Sequence, residues 1–362
     1  MTLRAVFLND TSGNHHFGCA RVMRTIEAAL QARGIEVTAK SLVRQDWERD
    51  TAFLRALGAA DIIVINGEGT LHHGSRHAEK LLRVVRHPNR KSIPVVVLNA
   101  LFQDNPPEWD HLLAGMSLIS VRDSRSFAEL KGRYPGELHQ TLDFSLYEPF
   151  VAGSSVERTS LIVGDSVFTD VTEELATLSD KSAADIFLPI VRTIKSSRPQ
   201  LSPARRRIRE AVIFMHRIVF GLRHPKARFC QDEFDYLTEL SKGELHVTGR
   251  FHSVCFSLLT LTPFLALSSN SWKVEALIED LGLSSDRLMA LKDIRQAIDG
   301  SGMHGFSDAE LLAIENGLEG NRRAISRVFD RVAELAAGDE ARKISSLDSQ
   351  SGRMAARKLA PS

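Results

Sequence analysis

Short runs of β-branched and other apolar residues alternate with helical patterns through the first 150 positions, the arrangement expected of repeated βαβ units around a parallel sheet. Strands are predicted at Ala5 to Leu8, Glu36 to Lys40, Ile62 to Ile65, Pro94 to Leu98 and Leu118 to Val121. The run Ile62-Ile63-Val64-Ile65 is apolar at every position, which suits a strand covered on both faces. Over Cys19 to Arg33, Val22, Ile26, Ala29 and Leu30 recur at helical spacing, predicting a half-buried helix that ends at Gly34. A second set of elements opens at Leu161-Ile162-Val163. Further strands are predicted there at Arg228 to Cys230, Leu245 to Thr248 and Phe264 to Leu267, with helices at Asp232 to Ser241, Ser253 to Thr260 and Val274 to Leu281.

The breaker-rich stretch Glu148 to Ser155 separates the two sets. At 362 residues the chain also exceeds what one hydrophobic core usually serves. The expected organisation is an α/β domain over 1–150, a second over 151–305, and a helical segment over 306–362 whose polar tail from Ala337 is expected to be mobile. Two such domains place ligands in a cleft at the carboxyl ends of their strands. The uncharged stretch Ser253 to Trp272 is long enough to span a bilayer, but Pro263 and its hydroxyl residues divide it into a helix and a strand.

Charge narrows the partners little. Lys plus Arg number 46 against 45 Asp plus Glu, so no overall field marks the chain for nucleic acid. Three widely spaced cysteines, Cys19, Cys230 and Cys255, read as reduced thiols, and the first residues read as a strand rather than a signal peptide. A cytoplasmic protein is expected. One local exception is 198–228, where nine Lys or Arg residues face one acid, Glu210. There Ile208, Val212, Met215, Ile218, Val219 and Leu222 recur at helical spacing. Either a packing helix with a solvated basic face or a helix lying on an anionic membrane fits that pattern.

The candidate chemistry falls at predicted strand ends. Asp10 to Cys19, with Gly13 and Gly18, is a candidate phosphate or sugar loop carrying Asn14, His15 and His16. Asn66-Gly67-Glu68-Gly69 follows the most apolar strand, and Glu68 is placed to act as a base or to orient a hydroxyl. His72 and His73 follow, without the spacing of a metal motif, and no metal is expected. Arg122 in Ser120-Val121-Arg122-Asp123 is either an anion clamp or half of a surface pair with Asp123, which with Ser124 offers a helix cap. The segment Gly249-Arg250-Phe251-His252 joins a strand to a helix start, combining a guanidinium, an imidazole and a positive dipole end. Asn270 and Lys273, after the next strand, are expected to face the same cleft.

In the order of these pieces the chain resembles the polysaccharide pyruvyl transferase family. The resemblance is carried by Gly13 to Gly18, Asn66 to Gly69, Ser120 to Ser126, Asp143, and Gly249-Arg250-Phe251-His252 leading to Pro263 and Lys273. It implies an α/β fold of two Rossmann-like domains in a B-type glycosyltransferase-like arrangement with a cleft between them. Phosphoenolpyruvate is the implied donor, with no further cofactor, and a sugar diol of a polysaccharide or its lipid-linked precursor the implied acceptor. The family's donor-binding Arg-x-His falls on Arg250 and His252, and a further donor arginine is best matched by Arg122. On this reading His252 is the general acid and Glu68 the hydroxyl-orienting base. Phe251, Asn270 and Lys273 join the donor site, and Asn14, His15, His16 and His72 the acceptor site. The chain departs from the family pattern where Gly18 is followed by Cys19 instead of aspartate. A nucleotide-sugar glycosyltransferase with the same fold is the main alternative, and a non-catalytic glycan-binding protein a third.

Overall fold

The computed structural model describes residues 2–151, 157–299 and 305–358, those from 339 onward by backbone alone. Part of the predicted joining stretch and most of the polar tail's side chains therefore lie outside the described residues.

The first half forms a six-stranded sheet from β1 (Leu3–Asp10), β2 (Ile35–Leu42), β3 (Ile62–Asn66), β4 (Val95–Ala100), β5 (Leu118–Val121) and β6 (Glu137–Gln140). Its order is β2-β1-β3-β4-β5-β6, with every pair parallel. The crossovers carry α1 (Phe17–Gln31), α2 (Thr51–Leu57), α3 (Arg76–Leu82), α4 (Asp110–Leu113) and α5 (Ser124–Lys131). The second half forms a five-stranded parallel sheet, β11-β10-β9-β7-β8. Its strands are β7 (Ser160–Ser166), β8 (Ile186–Phe187), β9 (Gly243–Gly249), β10 (Phe264–Leu267) and β11 (Leu288–Met289). Around them lie α6 (Thr169–Lys181), α7 (Pro203–Arg223), α8 (Glu233–Ser241), α9 (Phe251–Thr260), α10 (Lys273–Asp280) and α11 (Leu291–Asp299). The chain closes with α12 (Asp308–Lys358), broken at Gly338, whose φ is 70°.

The apolar strands divide their side chains between two cores, as the two-residue repeat of a strand requires. Val6, Leu8, Ile63 and Ile65 face one cluster, and Ala5, Phe7, Ile62 and Val64 face the other. That second cluster is completed from the far end of the sequence. Ile325, Val328, Phe329 and Val332 of α12 pack on the first sheet, so the C-terminal helix returns to the N-terminal half. Arg33 stacks over Phe329 and pairs with Asp330, and Asn321 bonds the backbone of Leu142 and Asp143.

The strand predicted at Arg228 to Cys230 does not form. Only Ala227 makes a bridge, to Phe187, while Cys230 turns into the core. A short apolar run fits a buried loop as well as it fits a strand. The opposite error hides β6, whose Glu137-Leu138-His139-Gln140 is a half-buried edge without an apolar run. The stretch from Ser253 resolves into α9 and β10, and no helix among the described residues is long and apolar enough to cross a membrane.

Phe329→Ala tests the returning helix. Its ring is fully buried beside Phe144, so truncation is expected to cost about 3 to 5 kcal/mol in urea unfolding. A change within about 0.5 kcal/mol, the range of an ordinary surface substitution, would mean that α12 does not pack there.

Candidate active site

Both sheets are parallel, and the carboxyl ends of their strands meet at one cleft, where open α/β folds bind ligands. From the first sheet come Thr11 after β1, Glu68 after β3 and Arg122 after β5; from the second come Asp165 at the end of β7 and Arg250 with His252 after β9. Arg250 sits at the N-cap position of α9 in extended conformation, and no side chain caps this helix. The first-turn N–H groups of α9 are thus left for a ligand, and they favour an anion.

His252 is buried, and its Nε2 has no hydrogen-bond partner. Two carboxylate oxygens lie just beyond hydrogen-bond range, Asp143 Oδ1 at 3.6 Å and Glu68 Oε1 at 3.7 Å. Glycine is required at position 18 because the imidazole packs there: a Cβ would come within 2.2 Å of the ring. His16 caps α1 by accepting from the Cys19 N–H, and its ring stands edge-on to His252 at 5.2 Å between centroids. Burial, with His252 and Arg250 nearby, pushes the His16 pKa well below its ordinary value, so His16 is neutral near pH 7.

Each arginine is fixed by one buried carboxylate and keeps donors for the cleft. Arg122 Nη1 donates to Asp143 Oδ2 at 3.0 Å, its guanidinium lies 4.4 Å from the centre of the Phe251 ring, and its buried Nε has no partner. Arg250 Nε donates to Asp165 Oδ2 at 2.7 Å, and Asp165 also accepts from the Ile190 N–H. Burial alone would raise the Asp143 pKa. His252, Arg122 and the Ser145 N–H outweigh that and hold it far below the ordinary carboxylate range. Lys273 is the third cation, with Nζ donating to Asn270 Oδ1 at 2.6 Å. Burial, with Arg122 and Arg250 close by, pulls its pKa down to about 7.

Glu68 is held at both oxygens. Cys19 Sγ donates to Oε1 at 2.9 Å, and Thr11 Oγ1 and Asn66 Nδ2 donate to Oε2 at 2.8 and 3.2 Å. Burial and Glu68 push the Cys19 thiol well above its usual pKa, so it remains a donor. An aspartate at 19 would set a second carboxylate against Glu68; the thiol avoids that repulsion. His16, Cys19 and His252 bring donor atoms within 4.8 Å of one another, as a metal would need. Arg250, Arg122 and Lys273 around them suit an anion better.

Two spaces adjoin at these groups. A small cavity of about 170 Å³ is bounded by Glu68, Arg122, Arg250, Phe251, His252 and Lys273. A larger cleft of about 870 Å³ shares His16, Cys19 and Arg250 with it and continues past Asn14 to α7.

The sequence profile of polysaccharide pyruvyl transferases matches residues 16–271. The chain belongs to the polysaccharide pyruvyl transferase family. It is an enzyme, a transferase, of a family that acts in polysaccharide biosynthesis. Among curated proteins none matches its sequence. Its fold is similar to that of UDP-N-acetylglucosamine 2-epimerase from Rickettsia bellii, at 8% identity and a TM-score of 0.50, over 92% of this chain and 98% of that one. An α-glucosyltransferase solved with UDP and DNA is similar over 92% of this chain and 100% of its own, at 12% identity and a TM-score of 0.49. The two parallel sheets with interleaved helices form the B-type glycosyltransferase-like pair of Rossmann-like domains.

In this chain Arg122, Glu68, Arg250, Phe251, His252 and Lys273 line one cavity, with Asn270 bonded to Lys273. Phe251 is buried, with the Arg122 guanidinium over its ring, and borders the same cavity. The surface pair of Arg122 with Asp123 does not occur: both are buried, and Asp123 caps α5 by accepting from the Ser126 N–H. Of the residues expected to face the acceptor, Asn14 and His16 line the larger cleft. His15 turns instead toward Glu210 of α7, at 3.7 Å. His72 bonds His73 and lines neither space; burial, then His73, lowers its pKa to about 4. The anchoring roles of Asp143 and Asp165 are not evident from the sequence pattern. A polar residue ending an apolar strand, Val163-Gly164-Asp165, was the available signal for the second.

Asp143→Asn would leave Arg122 buried without its charge partner, at an expected cost of about 3 to 5 kcal/mol in urea unfolding. Adding Arg122→Met should recover part of that loss, because the two residues are coupled. Equal losses in the single and double variants would mean the pair is not a unit. Since the Asp143 pKa is lowered by folding, this stability is fully present above the ordinary carboxylate range and is lost progressively as pH falls from there toward the lowered folded-state pKa.

Proposed function

We propose that the chain transfers a pyruvyl group from phosphoenolpyruvate to a sugar diol of a cell-surface polysaccharide or its lipid-linked precursor, forming a ketal. The carrying observation is the small cavity, where three cations with unused donors surround a buried, unpartnered imidazole nitrogen. Family membership supports the same reading. The size of the cavity suits a three-carbon acid phosphate, and the adjoining cleft is large enough for a glycan end.

On this proposal Arg122, Arg250 and Lys273 hold the phosphate and carboxylate, with the first turn of α9 adding N–H donors. Protonated His252 gives its proton to the enol methylene, which becomes the methyl group, and positive character develops on the adjacent carbon. One sugar hydroxyl attacks that carbon, phosphate leaves, and the second hydroxyl closes the ketal. Of the two hydroxyl protons, one restores His252 through the neighbouring carboxylates and the other leaves on phosphate. No net proton is needed. Glu68 orients the attacking hydroxyl, and Asn14 and His16 meet the acceptor in the larger cleft. The protein is proposed to work in the cytoplasm, at the inner membrane face when the acceptor is lipid-linked.

His252→Gln is expected to lower kcat by about 10² to 10⁴-fold with little change in donor KM, while Arg250→Ala raises donor KM. Near-normal turnover in His252→Gln would remove its role as acid. Phosphoenolpyruvate should raise Tm more than a nucleotide sugar does; the reverse result favours glycosyl transfer. Lys273 is charged below pH 7 and discharges above it, so donor affinity should fall as pH rises from 7 to 9 in the wild type. That fall should flatten in Lys273→Met, and an equal fall in both would assign the effect elsewhere.

A further inference from the structure

We infer that α7 is a surface-docking helix: its outer face lies on an anionic lipid bilayer, and its inner face forms one wall of the acceptor cleft. The outer face is apolar and unpartnered. Ile208 is 67% exposed, Phe214 62% and Leu222 80%, with Met215, Ile218 and Val219 exposed between them. Only Ile213 and Phe220 of this helix are buried, so it is anchored along a narrow opposite stripe. So large an apolar face on one surface helix is not incidental exposure.

The occupant is identified by charge. At helical spacing Arg207 borders the apolar stripe on one side and Arg205 and Arg223 on the other. Within α7 a single acid, Glu210, opposes Arg205, Arg206, Arg207, Arg209, Arg217 and Arg223, of which Arg223 also pairs with Glu173 of α6. Guanidinium groups beside an exposed apolar stripe suit an interface that is anionic outside and apolar beneath. No helix among the described residues crosses a membrane, and α7 is too polar on its other faces to do so. It therefore lies in the plane of the surface.

The inner face connects this contact to the site. Arg209, Val212 and His216 line the larger cleft together with Asn14, His16 and Arg250. The segment leading into α7 rests on the first glycine loop, where a Cβ on Gly13 would come within 2.8 Å of Pro199. Glu210 faces His15 in that same loop, and Arg209 bonds the Ser196 carbonyl. A bilayer under α7 thus places the mouth of the cleft at the lipid surface, where a glycan on an amphiphilic carrier presents its sugar end. The assignment of that acceptor rests on the pyruvyl transfer proposed above; the docking itself does not.

The test is flotation of the full chain with vesicles of zwitterionic lipid alone and with anionic lipid added, at low and high salt. The wild type should float with anionic vesicles at low salt and bind about tenfold less to zwitterionic vesicles or at high salt. Both the combined Phe214→Ser, Ile218→Ser, Leu222→Ser variant and the Arg205→Glu, Arg207→Glu variant should lose about tenfold in binding while retaining the wild-type circular dichroism and Tm. The serine variant should keep its turnover on a short water-soluble acceptor. The inference is overturned if the wild type stays with the unbound fraction, or if the serine variant floats as well as the wild type. It is also overturned if the face mediates self-association, seen as a wild-type dimer that does not float and a monomeric serine variant. A chain that floats as expected but never consumes phosphoenolpyruvate removes the pyruvyl reading and leaves the docking intact.

Discussion

The buried ion pair between Arg122 and Asp143 is the constraint on which the site depends. Two charges removed from water are tolerated only when geometry and further hydrogen bonds compensate their desolvation. Here Asp143 accepts from Asn99, Arg122 and the Ser145 N–H, and the guanidinium rests on the Phe251 ring. That ring starts the helix that delivers His252. One pair therefore joins a strand end of the first sheet to the helix start that follows a strand of the second. Asn321 of α12 bonds the backbone at Leu142 and Asp143, so the far end of the chain supports the same loop.

Around this pair the charges are divided by role. Asp143 and Asp165 bind one nitrogen of an arginine each and leave other donors pointing into the small cavity. His16 and Cys19 are kept neutral by burial, so they shape the walls without adding charge. Lys273 sits near its point of discharge, which makes it the cation whose charge responds to pH. The result is a pocket that is positive toward its ligand and balanced toward the protein. Cys19 fits this division: as a thiol it donates to Glu68 where a carboxylate would repel it.

Strands buried on both faces were legible because their apolar runs admit few other structures; Ile62 to Ile65 and Phe264 to Leu267 are instances. Polar edge strands such as β6 were not, since half-burial asks for no apolar run. Arg250, His252, Arg122, Glu68 and Lys273 were legible as a set because each stands at the end of a predicted strand. Their anchors were not, because Asp143 and Arg122 are 21 residues apart and Asp165 and Arg250 are 85, and only topology brings them together. His15 shows the same limit: proximity in sequence to a site did not fix that its side chain meets Glu210 of α7. The helical pattern of the C-terminal segment predicted a helix, but not that its apolar face would pack on the first sheet.

In the proposed reaction this pocket receives phosphoenolpyruvate and passes its three carbons to a glycan. The most direct measurement is mass spectrometry of glycans from cells lacking the protein, after incubation with the purified chain and carbon-13-labelled phosphoenolpyruvate. Pyruvyl transfer gives products heavier by labelled pyruvic acid less one water, with one phosphate released per ketal. Unlabelled glycans, together with hexose transfer when nucleotide sugars are supplied instead, would contradict it.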